Sequence, residues 1–219
     1  MWVKICGIKD VATADAVAAL RPDAIGLNFY QSSPRSVTLP VAGEIVLRLP
    51  AGVEPIGLFV NHTLSQLGEA IEVLGLKTIQ LHGDESPELV AQLPPVRIIR
   101  AFRVGDAGLA EMAAYLDACE RCGRLPDFCL VDARVDGQYG GTGHTAPWDL
   151  LSREYQQQWP PLILAGGLTP ANVAAAIAIV RPWGVDVAGG VETSPAVKDL
   201  RLVQEFIRHS HGVDAPPVG

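Results

Sequence analysis

Three ionisable side chains occupy positions at which they could take part in catalysis or in ligand binding. Cys6 ends an apolar run and precedes Gly7, Asp132 ends another apolar run, and Arg35 follows a proline in a polar loop. A thiolate can act as nucleophile or base, a carboxyl group as an acid, and a guanidinium group can bind a carboxylate through two parallel hydrogen bonds. Each residue also has a structural alternative: a small buried thiol, a capping or turn carboxylate, and a solvated surface arginine. Position alone leaves these alternatives open.

Glycine-rich segments in the last third of the chain form a second group of candidates. Their backbone N–H groups are unobstructed, which suits a phosphate group, although glycine also serves simply to allow a tight turn. The clustering of three such segments favours phosphate binding, and the candidates are Gly141, Gly143, Gly166, Gly167, Gly189 and Gly190. Because neither G-x-G-x-x-G after the first strand nor G-x-x-x-x-G-K-[ST] is present, a nucleotide cofactor is not supported.

Short β-branched runs alternate with longer Ala/Leu-rich stretches along the whole chain. The predicted strands are Trp2–Cys6, Ala24–Asn28, Pro55–Val60, Thr78–Leu81, Val96–Phe102, Phe128–Val131, Leu162–Ala165 and Val185–Ala188, and the predicted helices are 11–20, 40–49, 64–74, 86–93, 107–121, 148–157, 170–181 and 198–209. The pattern predicts an α/β protein with a single (βα)8 TIM barrel over residues 1–210 and a flexible tail over 211–219. A doubly wound open sheet is the alternative, but eight units without a longer insertion favour closure.

Local signals refine the helix boundaries. Asp10, Thr63 and Ser86 are predicted N-caps, as is Thr169, since Pro170 suits a first helical position. Gly75 and Gly123 are predicted to follow helix ends. In a barrel of this kind the chemistry lies at the carboxyl ends of the strands, where Cys6, Asp132 and the glycine segments all fall.

Composition limits the possible partners. The chain has 219 residues, 48% hydrophobic and 19% charged, with a formal charge of −7 and no basic run, which argues against nucleic-acid binding. With neither a signal-peptide pattern nor an apolar stretch of about 18 residues, we expect a soluble cytoplasmic protein that does not bind membranes. The four cysteines are expected to be reduced thiols; Cys119 and Cys122 have the C-x-x-C spacing but lack a second ligand pair for zinc.

Taken together, these segments resemble the phosphoribosylanthranilate isomerase family of tryptophan biosynthesis. The resemblance rests on Val3-Lys4-Ile5-Cys6-Gly7-Ile8, Gly26-Leu27-Asn28-Phe29-Tyr30, Ser33-Pro34-Arg35, Gly57-Leu58-Phe59-Val60-Asn61, Gln80-Leu81-His82-Gly83-Asp84-Glu85, Val131-Asp132-Ala133, Gly140-Gly141-Thr142-Gly143, Leu164-Ala165-Gly166-Gly167-Leu168, and Gly190-Val191-Glu192 with Lys198-Asp199. In this order the segments are highly specific. The family is a single-domain barrel that carries out an Amadori rearrangement of a phosphorylated small molecule without a metal or organic cofactor.

The resemblance assigns Cys6 as general base, Asp132 as general acid and Arg35 as the residue that binds the anthranilate carboxylate. Both catalytic groups must work at neutral pH, so we expect the pKa of Asp132 to be raised and that of Cys6 to be lowered. Arg35 is expected at one end of the site and the glycine loops, with the phosphate, at the other. Monomer and homodimer both occur in the family.

The sequence departs from the family pattern in three places. Gly189 stands where a serine is usual, Ala196 where a glycine is frequent, and His144 and Pro147 lengthen the approach to the sixth helix. Three rival functions are a metal-dependent phosphosugar epimerase, an indole-glycerol-phosphate synthase and a non-catalytic phosphate-binding barrel. Relaxed specificity toward an aminoaldose with a second phosphate is a further alternative.

Overall fold

The computed structural model describes residues 1–104, 108–132 and 148–212 of the chain. Within these ranges eight strands alternate with eight helices, and a short hairpin follows the eighth strand. The strands of the main sheet are β1 Trp2–Cys6, β2 Ala24–Asn28, β3 Glu54–Phe59, β4 Thr78–Leu81, β5 Arg97–Arg103, β6 Phe128–Asp132, β7 Leu162–Ala165 and β8 Gly184–Val187. The helices are α1 Val11–Ala19, α2 Leu39–Arg48, α3 Leu64–Leu74, α4 Pro87–Gln92, α5 Ala110–Arg121, α6 Trp148–Glu154, α7 Val173–Val180 and α8 Leu200–Ser210.

The eight strands form one closed parallel barrel in sequence order, with β8 paired to β1. The predicted (βα)8 fold is therefore confirmed, and the open-sheet alternative is excluded. Parallel strands need a crossover that covers the sheet, and helices α1 to α7 each supply one between successive strands on the outside of the barrel. All the carboxyl ends of the strands consequently meet at one mouth. Within the described ranges, no helix combines the length and the apolar character that crossing a bilayer would require.

Three of the four predicted N-caps and both predicted glycine ends are confirmed. The side chains of Asp10, Thr63 and Ser86 each accept a hydrogen bond from a backbone N–H in the first turn of α1, α3 and α4 respectively. Gly75 ends α3 in the left-handed conformation, and Gly123 follows the end of α5 with φ +82°.

The predicted cap at Thr169 and Pro170 is wrong. The helix begins at Val173, after Asn172. The Asn172 side chain accepts a hydrogen bond from the backbone N–H of Thr169, and it donates one to the carbonyl of Gly167. These two bonds stabilise a turn that delays the helix, because asparagine competes well for nearby backbone groups.

Alternation along the strands separates two apolar cores. One core lies between the barrel and its helices; on β1 it includes Val3 and Ile5. The other core fills the barrel interior and consists of Ala24, Ile56, Ile99, Ala101, Leu130, Ile163 and Ala165, with Trp2 and Phe128 packed against it. Since the side-chain period of a strand is two residues, the neighbours of Trp2 on the inner face of β1 are Lys4 and Cys6. The middle of the interior is thus apolar, and polar side chains gather toward the mouth.

A small element after β8 was not predicted. A 3-10 helix over Gly189–Val191 leads into an antiparallel hairpin of β9 Glu192–Ser194 and β10 Val197–Lys198. Ala196, in the turn, has φ +67°, the left-handed conformation that favours glycine. The residue that departs from the family pattern is therefore accommodated at some cost in backbone strain.

Candidate active site

Cys6 lies at the mouth end of β1 and is almost fully buried, with 6% of its surface exposed. Burial raises the pKa of the thiol; the ammonium groups of Lys4 and Lys198 act in the lowering direction, and the carboxylate of Asp186 adds to the rise. The net direction is upward, opposite to our expectation for Cys6. Removal of the thiolate from water outweighs the two nearby cations, because Asp186 offsets part of their field.

Lys4 and Asp186 form an ion pair beneath Cys6, inside the barrel. The two residues are register partners on β1 and β8, and the Lys4 Nζ donates to Asp186 Oδ1 at 3.0 Å. Burial lowers the pKa of Lys4, but the field of Asp186 and that of Cys6 raise it further, so the net direction is upward. The pair therefore keeps Lys4 protonated below the thiol, with the carboxylate of Asp186 beside it. Sequence reasoning did not single out Asp186, although an aspartate within an apolar strand was an available signal.

Arg35 lies across the backbone of Gly7, next to Cys6. A Cβ on Gly7 would come within 2.5 Å of the Arg35 Cδ, so glycine is required there for this close approach. The loop after β2 is stiffened by Ser33, whose Oγ accepts hydrogen bonds from the Asn28 amide and from the Arg35 backbone N–H. The Cys-Gly sequence at the end of β1 and the distant arginine therefore form one structural unit.

The guanidinium group of Arg35 pairs with Glu192 from the hairpin after β8. Nε donates to Oε1 at 2.8 Å and Nη2 donates to Oε2 at 2.5 Å. The hydrogen bonds to Glu192 raise the pKa of Arg35 despite the opposing effect of burial. Glu192 was quoted in the sequence only as part of a motif, and its partner lies 157 residues away in the chain.

Asp132 ends β6 at the same mouth, with His82 beside it. The His82 Nε2 lies 4.0 Å from Asp132 Oδ2, and the Gln80 amide nitrogen lies 2.9 Å from His82 Nδ1. An amide NH2 group can only donate, so Nδ1 accepts and Nε2 carries the hydrogen. Burial lowers the pKa of His82 to about 4, and the nearby charges of Lys4, Arg103 and Arg100 act in the same direction. His82 is therefore a neutral donor that faces Asp132.

The glycine candidates have different structural roles. Gly166 and Gly167 have φ of +81° and +65°, so the turn itself requires glycine at both positions. A Cβ on Gly190 would come within 1.8 Å of the carbonyl oxygen of Leu168, so this glycine allows the loops after β7 and β8 to touch. Phosphate binding by these residues stays a prediction, and Gly141 and Gly143 lie outside the described residues.

Gly189 differs from the other glycines because its position has room for a side chain. The nearest atom to a Cβ built there is the Arg35 Nη2, at 3.5 Å, which is an ordinary contact. One of the predicted phosphate-binding glycines thus lies beside the predicted carboxylate-binding arginine. The structure therefore places these two candidates side by side, whereas the resemblance led us to expect them at opposite ends of the site.

The remaining cysteines lie away from this mouth. Cys119 is buried on α5, Cys122 is half-buried at its end, and Cys129 is buried on β6; all are free thiols. Burial raises the pKa of Cys129 to about 12, as expected of an inert structural thiol. In residues 1–104, 108–132 and 148–212, no group of three or more His, Cys, Asp or Glu side chains could hold a metal ion.

A closed parallel barrel with its ionisable side chains gathered at the carboxyl ends of its strands defines the class of (βα)8-barrel enzymes. The family model described as "N-(5'phosphoribosyl)anthranilate (PRA) isomerase" matches residues 3–209. The chain therefore belongs to the N-(5'-phosphoribosyl)anthranilate isomerase family.

Individual relatives agree with this assignment. The N-(5'-phosphoribosyl)anthranilate isomerase of Pseudomonas syringae pv. syringae is 42% identical over 211 residues, covering 95% of this chain and 97% of that protein. The crystal structure of the isomerase from Thermotoga maritima is 34% identical and has a TM-score of 0.84, covering 96% of this chain and 98% of that chain. A crystal structure of a phosphoribosylanthranilate isomerase in complex with reduced 1-(o-carboxyphenylamino)-1-deoxyribulose 5-phosphate is 32% identical and has a TM-score of 0.81, with the same two coverages.

Proposed function

We propose that this chain catalyses the Amadori rearrangement of N-(5-phospho-β-D-ribosyl)anthranilate to 1-(2-carboxyphenylamino)-1-deoxy-D-ribulose 5-phosphate, a step of tryptophan biosynthesis. The substrate is a phosphorylated small molecule, and the reaction is an internal aldose-to-ketose isomerisation. The observation that carries the proposal is that a thiol at the end of β1 and a carboxyl group at the end of β6 lie at the same mouth of the barrel, in a chain of this family.

Ring opening is assigned to Asp132. Its carboxyl group gives a proton to the ring oxygen of the furanose, the bond from that oxygen to C1 breaks, and a protonated Schiff base forms with the anthranilate nitrogen. His82 is a neutral neighbour, so it adds no positive charge that would favour the carboxylate form of Asp132. A carboxyl group must hold its proton to act as an acid.

Proton removal from C2 of the ribose is assigned to Cys6. The electron pair left at C2 moves into the Schiff base and gives an enolamine, which tautomerises to the ketone. Because burial raises the pKa of Cys6, the thiol predominates at neutral pH and the base form needs additional positive charge. Lys4 supplies part of it, and the cationic Schiff base supplies more once the ring has opened. The base therefore becomes competent after ring opening rather than before it.

The ends of the substrate are assigned to Arg35 and to the glycine loops. Arg35 binds the anthranilate carboxylate, and backbone N–H groups of Gly166, Gly167, Gly189 and Gly190, with those of Gly141 and Gly143, bind the phosphate. The net charge of −7 repels a substrate that carries two anionic groups, so these local sites must supply the attraction.

The test is an assay that follows the fluorescence of enzymatically generated phosphoribosylanthranilate. The purified chain should accelerate its disappearance, and Cys6→Ala and Asp132→Asn should each lower kcat by about 10²–10⁴-fold, the usual contribution of a general acid or base. Cys122→Ala and Asp117→Asn are matched controls on α5, away from the mouth, and should keep full activity. An inactive wild-type protein, or full activity in both site variants, would overturn the proposal.

A further inference from the structure

The hairpin after β8 carries an acidic and a basic side chain that are both buried behind Arg35. Glu192 and Lys198 are register partners on β9 and β10, and their side chains are only 3% and 1% exposed. The Lys198 Nζ donates to Glu192 Oε1 at 2.7 Å and to the Ala188 carbonyl at 2.9 Å. A buried charged pair is costly to hold unless it is well hydrogen-bonded, so this arrangement invites a functional explanation.

Glu192 binds only one edge of the Arg35 guanidinium group. It accepts from Nε and from Nη2, and its Oε2 also accepts from the backbone N–H of Ala196 at 3.2 Å. A guanidinium group has a second edge, formed by Nη1 and the other Nη2 hydrogen, that can bind a carboxylate in the same bidentate way. Glu192 does not use that edge. The hairpin therefore fixes the plane of the guanidinium group while its outer edge can still donate.

The charges of this cluster do not cancel. Arg35 and Lys198 carry two positive charges, and Glu192 carries one negative charge. Burial raises the pKa of Glu192, but the hydrogen bonds from Arg35 and Lys198 lower it further, so Glu192 is ionised. Burial lowers the pKa of Lys198 on balance, although its hydrogen bond to Glu192 acts in the opposite direction. A net charge of +1 remains, which one further carboxylate would neutralise.

We propose that Glu192 and Lys198 are positioning residues for the anthranilate carboxylate: Glu192 orients Arg35 so that its outer edge meets the carboxylate, and Lys198 supplies the positive charge that Glu192 would otherwise cancel. This inference rests on the proposed function and explains its substrate preference. A single excess charge matches a monoanionic carboxylate, whereas a second phosphate would bring up to two negative charges. The hairpin thereby selects the arylamine end of the substrate.

Positioning can be separated from simple electrostatics, because the two residues have opposite charges. If net charge alone mattered, Glu192→Gln would tighten binding of the carboxylate and Lys198→Met would weaken it. If Glu192 orients Arg35 and Lys198 supplies the positive charge, both variants should raise KM by about tenfold, a factor typical of a lost charge-assisted hydrogen bond, with kcat changed by less than about threefold. Glu192→Gln is the variant that separates the two explanations. A decrease of KM in Glu192→Gln would overturn the proposal.

A second substrate distinguishes positioning from a general structural defect. The aniline counterpart of the substrate keeps the ribose phosphate and lacks the carboxylate, and its consumption can be followed by chromatography. On this compound the kcat/KM values of Glu192→Gln and Lys198→Met should differ from the wild-type value by less than about twofold. The carboxylate that the two residues help to bind is missing from it. Equal losses on both substrates would overturn the proposal and leave only a structural role.

Controls separate this inference from the proposed function. Glu205→Gln on α8 and Lys77→Met before β4 change exposed residues of the same types and should match wild type on both substrates. Glu192→Asp keeps the charge on a shorter side chain and serves as the test if Glu192→Gln does not fold. This variant should show the same rise in KM, and an unchanged KM would count against the proposal. Wild-type inactivity on the anthranilate substrate would refute the proposed function, whereas an active wild type matched by Glu192→Gln would refute this inference alone.

Discussion

Two regions of the barrel interior are built from the same strands and have different roles, one in stability and the other in chemistry. Below the mouth, Ile56, Ile99 and Ile163 pack with Trp2 and Phe128 into an apolar core. Toward the mouth the inward positions carry an ion pair, a thiol and a hydrogen-bonded imidazole. A barrel strand thus separates stability from chemistry along its own length, and successive inward layers are two positions apart in the sequence. Depth in the barrel, more than identity of the strand, decides what a side chain does.

The largest effect on stability should come from the ion pair that lies between the two regions. Lys4→Met leaves Asp186 charged and buried without its cation, which typically costs about 3–5 kcal/mol. The double variant Lys4→Met/Asp186→Leu removes both charges and should recover most of that loss. Urea denaturation of the two variants measures the difference.

The same pair tests how sharply stability and chemistry are separated. Lys4 acts on the pKa of Cys6, so the double variant should regain stability while its kcat stays low. Recovery of both properties would mean that the ion pair is purely structural. A loss below about 1 kcal/mol in Lys4→Met would mean that the pair is solvated in solution, as surface pairs are.

The second prediction removes packing from the apolar end. Ile99 is 1% exposed within the inner core, and Ile99→Ala should destabilise the protein by about 2–5 kcal/mol through lost burial and the cavity left behind. Because Ile99 lies far below the mouth on β5, kcat and KM should stay within about twofold of wild type, as for a substitution outside the site.

A matched control for this prediction lies on α7. Ile179 is 37% exposed, so Ile179→Ala should cost well under about 1 kcal/mol. Thermal or urea unfolding compares the two variants, and the isomerase assay compares their kinetics. A tenfold fall of kcat in Ile99→Ala would show that the apolar layer also holds the catalytic groups in position.

The third prediction concerns the pH dependence at the mouth. The pKa of His82 is about 4, against an ordinary value of 6.5, so the unfolded chain binds the proton first as the pH falls. The contribution of His82 to stability is fully present above pH 6.5 and is lost progressively down to about pH 4. A pKa lowered from 6.5 to about 4 corresponds to about 3 kcal/mol as an upper value.

His82→Asn should therefore lose less stability than wild type between pH 7 and pH 4. The free energy of unfolding, measured in urea at several pH values, gives this difference directly. His211→Asn, at the exposed end of α8, is the control and should follow the wild-type curve. Parallel curves for wild type and His82→Asn would contradict the burial of a neutral imidazole beside Asp132.

Much of the barrel could be predicted because its signals are local. Alternating β-branched and Ala/Leu-rich runs set the bounds of β1, β2, β4 and β7 as the structure has them. The capping groups of Asp10 and Thr63 act within their own turns, so short-range reasoning located those helix starts too. It missed the start of α7, where Asn172 competes for the same backbone groups.

The parts of the site that escaped prediction depend on distant partners. Glu192 meets Arg35 across 157 residues and Asp186 meets Lys4 across 182, and no local pattern encodes either pair. The expected direction of the Cys6 pKa was wrong for a related reason. It depends on the balance between burial and two lysines, and burial is known only once the barrel has closed.

The smallest effect compares backbone strain at the two ends of the barrel. Arg181, which follows α7 at the amino end of β8, has φ +51°, and Ala196, in the hairpin at the mouth, has φ +67°. Glycine relieves left-handed strain in both cases, and Arg181→Gly should stabilise the protein by about 0.5–1 kcal/mol. Its kcat and KM should not change, since the exposed Arg181 side chain lies at the end of the barrel away from the site.

Ala196→Gly relieves similar strain but also loosens the turn whose N–H binds Glu192, so its KM should rise by about twofold. If both variants gain stability and neither changes KM, the two ends of the barrel differ in the roles of their side chains only. The backbone conformation of the hairpin then does not contribute to the positioning of Arg35.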